Sequence, residues 1–122
     1  MKIGIIGIGF AGQLHSKVIE MLDTNIVYYV YDVTPNAAQE FAKAHKCQAV
    51  NSLEELYEKI DAVIIATPTF THYNLVMEAI QKGKHILCEK PMAVRLSEAE
   101  EMLEMSRKKN KICAIGFNYR FF

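Results

Sequence analysis

Three glycines near the start of the chain have the spacing of a phosphate-binding turn. Gly7, Gly9 and Gly12 form a G-x-G-x-x-G pattern directly after a short apolar run. The first glycine allows a tight turn, the second lets a pyrophosphate approach the backbone, and the third lets a helix pack close to a strand. Phe10 and Ala11 lie at the start of that helix, whose N-terminus favours negative charge. We therefore predict that this loop binds the pyrophosphate of a nucleotide.

An acidic residue follows at the distance where it can bind a ribose. Asp32 ends the second apolar run and lies 20 residues past Gly12, where a carboxylate meets the adenosine ribose in dinucleotide-binding domains. A carboxylate repels a 2′-phosphate, and no arginine follows in Val33-Thr34-Pro35. These features favour NAD over NADP. Methyltransferases that bind S-adenosylmethionine carry the same acid, and FAD proteins share the glycine pattern, so both remain alternatives at this point.

Polar segments follow three further apolar runs. They are Thr67-Pro68-Thr69-Phe70-Thr71-His72, Glu89-Lys90-Pro91 and Gly116-Phe117-Asn118-Tyr119-Arg120-Phe121. Because ligands bind at the carboxyl ends of the strands in open parallel sheets, we expect these segments to lie near the glycine loop. The ammonium of Lys90 can stabilise the negative charge that develops on an alcohol oxygen during hydride transfer. We therefore predict that Lys90 is a catalytic residue.

The elements that position these residues alternate between β-branched apolar runs and segments of helical period. The six predicted strands are Lys2 to Ile6, Ile26 to Tyr31, Gln48 to Val50, Ala62 to Ala66, His85 to Cys88 and Ile112 to Phe117. Continuous hydrophobic strands are typical of buried parallel sheets, and right-handed crossovers favour the order 3-2-1-4-5-6. The sequence predicts one α/β domain over residues 1–122, a doubly wound Rossmann fold with helices on both faces.

Local signals predict where the helices begin, end and face the sheet. N-terminal caps are expected at Thr34-Pro35, Ser52-Leu53-Glu54-Glu55 and Ser97-Glu98-Ala99-Glu100, and a C-terminal stop at Gly83. Apolar residues share one face of the first helix: Leu14, Val18, Met21 and Leu22. Those of the last helix are Ala99, Met102 and Leu103. We expect both faces to cover the sheet.

Composition argues against several other classes of protein. Lys plus Arg and Asp plus Glu both number 14, which gives a formal net charge of +0 and no field to attract nucleic acid or a membrane surface. No apolar run approaches the roughly 18 residues of a membrane span. The three cysteines form no C-x-x-C pair, which predicts free thiols in the cytoplasm. His15, His45 and His85 lack metal-ligand spacing, so we expect no metal site.

Four motifs occur in order along the whole chain. They are the glycine loop, Ala66-Thr67-Pro68-Thr69-x-x-His72, Glu89-Lys90-Pro91 and Gly116-Phe117-Asn118-Tyr119-Arg120. Together they resemble the Gfo/Idh/MocA family of NAD(P)-dependent oxidoreductases. The resemblance implies that Thr67, Pro68 and His72 line the nicotinamide half of the cofactor. It also implies that Glu89 and Lys90 lie beside the nicotinamide and the substrate, with a cis peptide bond before Pro91. We expect Asn118 to contact the cofactor as well.

The same resemblance implies a second domain that carries an Asp-x-x-x-His pair, a spacing that does not occur in this chain. We therefore expect the chain to be the dinucleotide-binding part of a larger enzyme and to be inactive alone. Its parent would transfer hydride between NAD and a sugar, cyclitol or related polyhydroxy substrate. The alternative is an NAD-binding sensor or interaction module without chemistry. An aromatic cluster predicts a homo-oligomer: Phe117, Tyr119, Phe121 and Phe122.

Overall fold

Six parallel strands form one sheet in the computed structural model, which describes residues 1–22 and 25–121. The strands are β1 (Lys2–Ile6), β2 (Val27–Tyr31), β3 (Gln48–Ala49), β4 (Ala62–Ile65), β5 (His85–Glu89) and β6 (Cys113–Gly116). Their order across the sheet is β3-β2-β1-β4-β5-β6, and every pairing is parallel. The predicted fold class and strand order are confirmed, and no strand end differs from its predicted position by more than one residue.

Helices cover both faces of this sheet. They are α1 (Phe10–Leu22), α2 (Ala37–Ala44), α3 (Leu53–Lys59), α4 (His72–Gln81) and α5 (Leu96–Lys108), with short 3₁₀ helices at Thr69–Thr71 and Asn118–Phe121. Side chains of β1 alternate between the two faces: Ile5 packs with α1 and α2, and Ile6 with α3, α4 and α5. Phe122, a predicted member of the aromatic cluster, lies outside the described residues. No described helix is long and apolar enough to cross a membrane.

The predicted sheet-facing side of α1 is wrong. Its large apolar residues are exposed by 46 to 84%: Leu14, Val18, Met21 and Leu22. The helix instead buries Gly12, Ser16 and Ile19 against the sheet. The reason is the close approach that the glycine loop imposes, because a Cβ at Gly12 would lie 1.9 Å from the Gly7 carbonyl oxygen. Small residues fit at that distance, so the large apolar side chains of α1 face outwards.

Two of the predicted helix starts are also wrong. Residues Thr34 to Ala37 form a turn in which the Ala37 amide donates to the Thr34 carbonyl, and Asn36 has a left-handed φ of 64°. The helix that Thr34-Pro35 was expected to cap therefore begins only at Ala37. On α5, the Glu98 carboxylate accepts from the amide of Arg95, so the helix begins before the predicted Ser97 cap.

Other local predictions agree with the structure. Ser52 caps α3, since its hydroxyl accepts from the Glu55 amide at 3.1 Å, and Gly83 follows α4 with a left-handed φ of 74°. The return bond of the expected capping box goes from the Asn51 amide to Glu55, one residue before Ser52. On α5, Met102 is buried as predicted, whereas Leu103 is 45% exposed. The prediction for Leu103 is wrong because Ser106, one turn past Met102, occupies the buried face.

Candidate functional site

The three glycines of the loop differ in what surrounds them. Gly7 has a φ of +90°, and a Cβ there would lie 2.6 Å from the Ala66 carbonyl oxygen. Gly12 has no room for a Cβ either, because the Gly7 carbonyl lies against it. Beside Gly9, in contrast, a Cβ would meet nothing within 4 Å. Gly7 and Gly12 therefore allow the backbone to pack closely, whereas Gly9 leaves open space next to the N-terminus of α1.

Asp32 holds the loop from the end of β2. Its Oδ2 accepts from the Ile8 amide at 3.0 Å, and its Oδ1 accepts from the Thr34 amide at 2.8 Å. Each carboxylate oxygen has a further lone pair with which to accept a hydroxyl. Asp32 lines a cleft of about 270 Å³ between β2, α2 and the end of β3, which we call the outer cleft.

A larger cleft of about 530 Å³ opens on the other side of β1, and we call it the inner cleft. It is lined by residues from α1, from the loops after β4 and β5, and from the final 3₁₀ helix: Phe10, Ala11, Leu14, His15, Val18, Ala66, Thr67, Glu89, Lys90, Asn118 and Tyr119. Six of the predicted site residues thus line one space. Glu89 is the only acid among these lining residues. Lys90 also lines a neighbouring cleft, together with Phe117 and Arg120.

His72 does not line either cleft. Its side chain is buried to 1% exposure, with Nδ1 2.8 Å from the Pro91 carbonyl oxygen and Nε2 2.8 Å from the Thr67 carbonyl oxygen. His72 therefore joins the loop after β4 to the segment after β5. The Lys90–Pro91 peptide bond in that segment is cis, as the resemblance implied.

The hydroxyl of Thr67 is oriented by a second threonine. Thr71 Oγ1 donates to the Pro68 carbonyl at 2.7 Å, and Thr67 Oγ1 lies 2.6 Å from Thr71 Oγ1. Because a hydroxyl has one proton, Thr67 must be the donor in that second bond. Its remaining lone pairs are then available to the inner cleft. Pro68 itself is exposed at the start of this turn.

Sequence reasoning missed a side-chain contact at the wall of the inner cleft. His15 on α1 lies with its Nε2 2.7 Å from Glu89 Oε1, although the two residues are 74 positions apart. No spacing in the sequence indicates this contact, because the fold alone brings α1 to the end of β5. Among the described residues, no three His, Cys, Asp or Glu side chains are arranged to hold a metal ion.

A sequence profile of the Gfo/Idh/MocA family, described as an oxidoreductase family with an NAD-binding Rossmann fold, matches residues 1–117. The chain belongs to this family. It is an oxidoreductase NAD-binding domain. This assignment replaces the two alternatives, a methyltransferase and an FAD protein.

Curated relatives and solved structures agree with the Gfo/Idh/MocA assignment. The chain is 36% identical to a myo-inositol 2-dehydrogenase of Thermotoga maritima over 99% of its own length and 37% of the relative's. It is 34% identical to a glucose-6-phosphate 3-dehydrogenase of Bacillus subtilis, over 98% of this chain and 34% of that protein. The structure of a UDP-N-acetylglucosamine 3-dehydrogenase from Acidithiobacillus ferrooxidans matches with a TM-score of 0.86 and 33% identity, over 95% of this chain and 38% of that one. The chain therefore spans about a third of the length of these relatives.

Proposed function

We propose that the domain binds NAD along the carboxyl-end edge of the sheet, with the pyrophosphate over Gly9. The open space beside Gly9 carries this proposal. The two clefts support it, because β2 and β5 lie on opposite sides of β1 and each cleft can take one half of a dinucleotide. The N-terminal amides of α1, from Phe10, Ala11 and Gly12, would hold the pyrophosphate. Asp32 would accept from the adenosine ribose, and the inner cleft would hold the nicotinamide.

Asp32 also supports a preference for NAD over NADP. Its two oxygens accept from the backbone amides of Ile8 and Thr34, which fixes the carboxylate beside the loop, where it would repel a 2′-phosphate. Losing hydrogen bonds to a charged group costs about 1.5 to 3 kcal/mol, so Asp32→Ala should weaken NAD binding by roughly ten- to a hundredfold. Calorimetric titration of the chain with NAD and with NADP measures both affinities.

Asp61 offers a matched control for this experiment. Its carboxylate also accepts from a backbone amide, that of Lys2, but it lies at the opposite edge of the sheet, just before β4. Asp61→Ala should leave NAD affinity unchanged. Equal affinities of the unmodified chain for NAD and NADP would contradict the preference.

We further propose that the protein carrying this domain transfers hydride between NAD and a sugar, cyclitol or related polyhydroxy compound. The relatives support this substrate class, since their names describe dehydrogenases of such compounds. Bound NAD supplies the hydride acceptor. The exposed ammonium of Lys90, in the inner cleft, would stabilise the substrate oxygen as its proton leaves.

Steady-state kinetics of the whole protein test this role of Lys90. Lys90→Met should lower kcat by about 10²- to 10³-fold, as the loss of one preorganised oxyanion donor does elsewhere, while NAD affinity changes little. A variant that loses NAD affinity but keeps kcat would show that Lys90 binds the cofactor and does not act on the substrate.

A reducing compartment, the cytoplasm, is part of the same proposal. Cys47, Cys88 and Cys113 are free thiols in the structure. Burial raises the pKa of Cys88 to about 12, so this thiol stays protonated and unreactive at neutral pH. Counting three thiols in the denatured, unreduced protein would support this compartment, and an intramolecular disulfide would contradict it.

A further inference from the structure

A histidine and a carboxylate meet at the wall of the inner cleft. His15 Nε2 lies 2.7 Å from Glu89 Oε1, and since a carboxylate only accepts, the imidazole nitrogen donates. Both side chains are 24% exposed, so the bond is neither in the core nor freely solvated. The distance is typical of a charge-assisted hydrogen bond. This contact ties α1 to the strand end that precedes Lys90.

The Glu89 carboxylate also lies close to the backbone of β6. Glu89 is paired in register with Gly116, and a Cβ at Gly116 would lie 3.4 Å from Glu89 Oε2. One carboxylate oxygen therefore faces the imidazole of His15, and the other lies over a glycine. Such a carboxylate has a defined position, which it would lose if the imidazole were removed.

The position of this carboxylate matters because of the charge it brings to the cleft. Among the described residues that line the inner cleft, Glu89 is the only acid, and the other titratable groups are those of His15, Lys90 and Tyr119. An oxidised nicotinamide ring carries a positive charge and a reduced ring does not. A carboxylate fixed beside the ring attracts the oxidised nicotinamide more than the reduced one. If the carboxylate turned towards solvent, water would screen this attraction.

We propose that His15 is a positioning residue that holds Glu89 and thereby sets the preference of the site for NAD⁺ over NADH. The inference rests on the proposed function, since it needs the nicotinamide in the inner cleft. His15 acts through Glu89 and does not itself react. Glutamine also carries an N–H donor on its side chain, so His15→Gln can preserve the bond, whereas His15→Leu removes it.

Titration of the chain with NAD⁺ and with NADH tests the proposal. His15→Leu should weaken NAD⁺ binding by about fivefold, the effect of losing a partly screened attraction between charges, and leave NADH affinity within about twofold. His15→Gln should restore most of the loss. Glu89→Gln should reproduce the loss, and adding His15→Leu to it should produce no further change.

Another His–Glu contact among the described residues supplies the control. His45 Nδ1 lies 3.3 Å from Glu20 Oε1, and neither residue lines the inner cleft. His45→Leu should leave both affinities unchanged. Equal weakening of NAD⁺ and NADH in His15→Leu, no change, or tighter NAD⁺ binding would each overturn the inference while leaving the proposed function intact. Failure of the unmodified chain to bind either form would overturn both.

Discussion

At the scale of single residues, Glu20 joins α1 to β2 and to the segment before β3. Its carboxylate accepts from the Tyr28 hydroxyl at 2.5 Å and from the Lys46 amide at 3.0 Å. These bonds, the one from Tyr28 first, hold the pKa of Glu20 below its usual value. Burial first, and then the hydrogen bond to Glu20, raise the pKa of Tyr28. Ser16 completes the cluster through a 2.9 Å bond to the same tyrosine hydroxyl.

This cluster predicts a pH dependence of stability. Because the folded-state pKa of Glu20 is lowered, its contribution is present above the unfolded value of about 4.3 and is lost as pH falls through the folded value. Glu20→Gln should lower the free energy of unfolding at pH 7 by about 1 kcal/mol and flatten its decline in acid. Urea unfolding from pH 3 to 7 measures this.

An exposed acid on α2 provides the comparison for Glu20. The Glu40 carboxylate pairs with Lys43, and both side chains are at least two-thirds exposed, so Glu40→Gln should cost less than about 0.5 kcal/mol. If the free energy of unfolding declined in acid equally in both variants and in the unmodified chain, the lowered pKa of Glu20 would contribute nothing to folding.

At the scale of elements, the glycine loop predicts opposite outcomes for two alanine substitutions. Gly12→Ala places a Cβ 1.9 Å from the Gly7 carbonyl oxygen and should cost about 3 kcal/mol of stability, since α1 must move away from β1. At Gly9 a Cβ would meet nothing within 4 Å apart from the adjoining residues of the chain, so Gly9→Ala should leave the fold unaffected. Its methyl group would occupy the proposed pyrophosphate space, and NAD affinity should fall by about tenfold or more.

Thermal unfolding and calorimetric titration of both variants separate these effects. An unstable Gly9→Ala variant would show that this glycine serves the turn, and a stable one with full NAD affinity would place the pyrophosphate elsewhere.

The sequence predicted the elements and their order better than the contacts between them. Crossover handedness and the apolar runs were sufficient for the sheet, and the glycine spacing predicted the close packing at Gly7 and Gly12. Periodicity showed that α1 has an apolar stripe, but not that Gly12 and Ser16 lie on the opposite, buried face. The contact between His15 and Glu89 joins distant elements. Such contacts depend on the packed fold, so no local pattern encodes them.

At the scale of the whole molecule, the outward stripe of α1 and the final 3₁₀ helix meet at the inner cleft, which Leu14, Val18 and Tyr119 line together; we call the exposed apolar side chains of these two elements the apolar surface. Its most exposed members are Phe10, Met21, Leu22, Tyr119 and Phe121, each at least 70% exposed. On the same face, β6 carries Ala114 exposed at its centre, because the described helices α1 and α2 pack over the other strands. Large apolar side chains exposed together in this way often mark a contact surface.

We therefore expect the 122-residue chain to self-associate through this surface, and a symmetric dimer is the simplest closed arrangement. Light scattering across a concentration series should show a mass above 13.9 kDa that rises with concentration. Replacing Val18 and Met21 on the stripe with glutamine should shift the equilibrium to the monomer without loss of NAD binding, because α1 would still bury Ser16 and Ile19.

Leu96, which is 76% exposed on α5, provides the control. Because α5 packs on the opposite face of the sheet, Leu96→Gln should leave the association unchanged. A strict monomer at every concentration would show that the apolar surface is tolerated in water and that the homo-oligomer needs contacts from outside this domain.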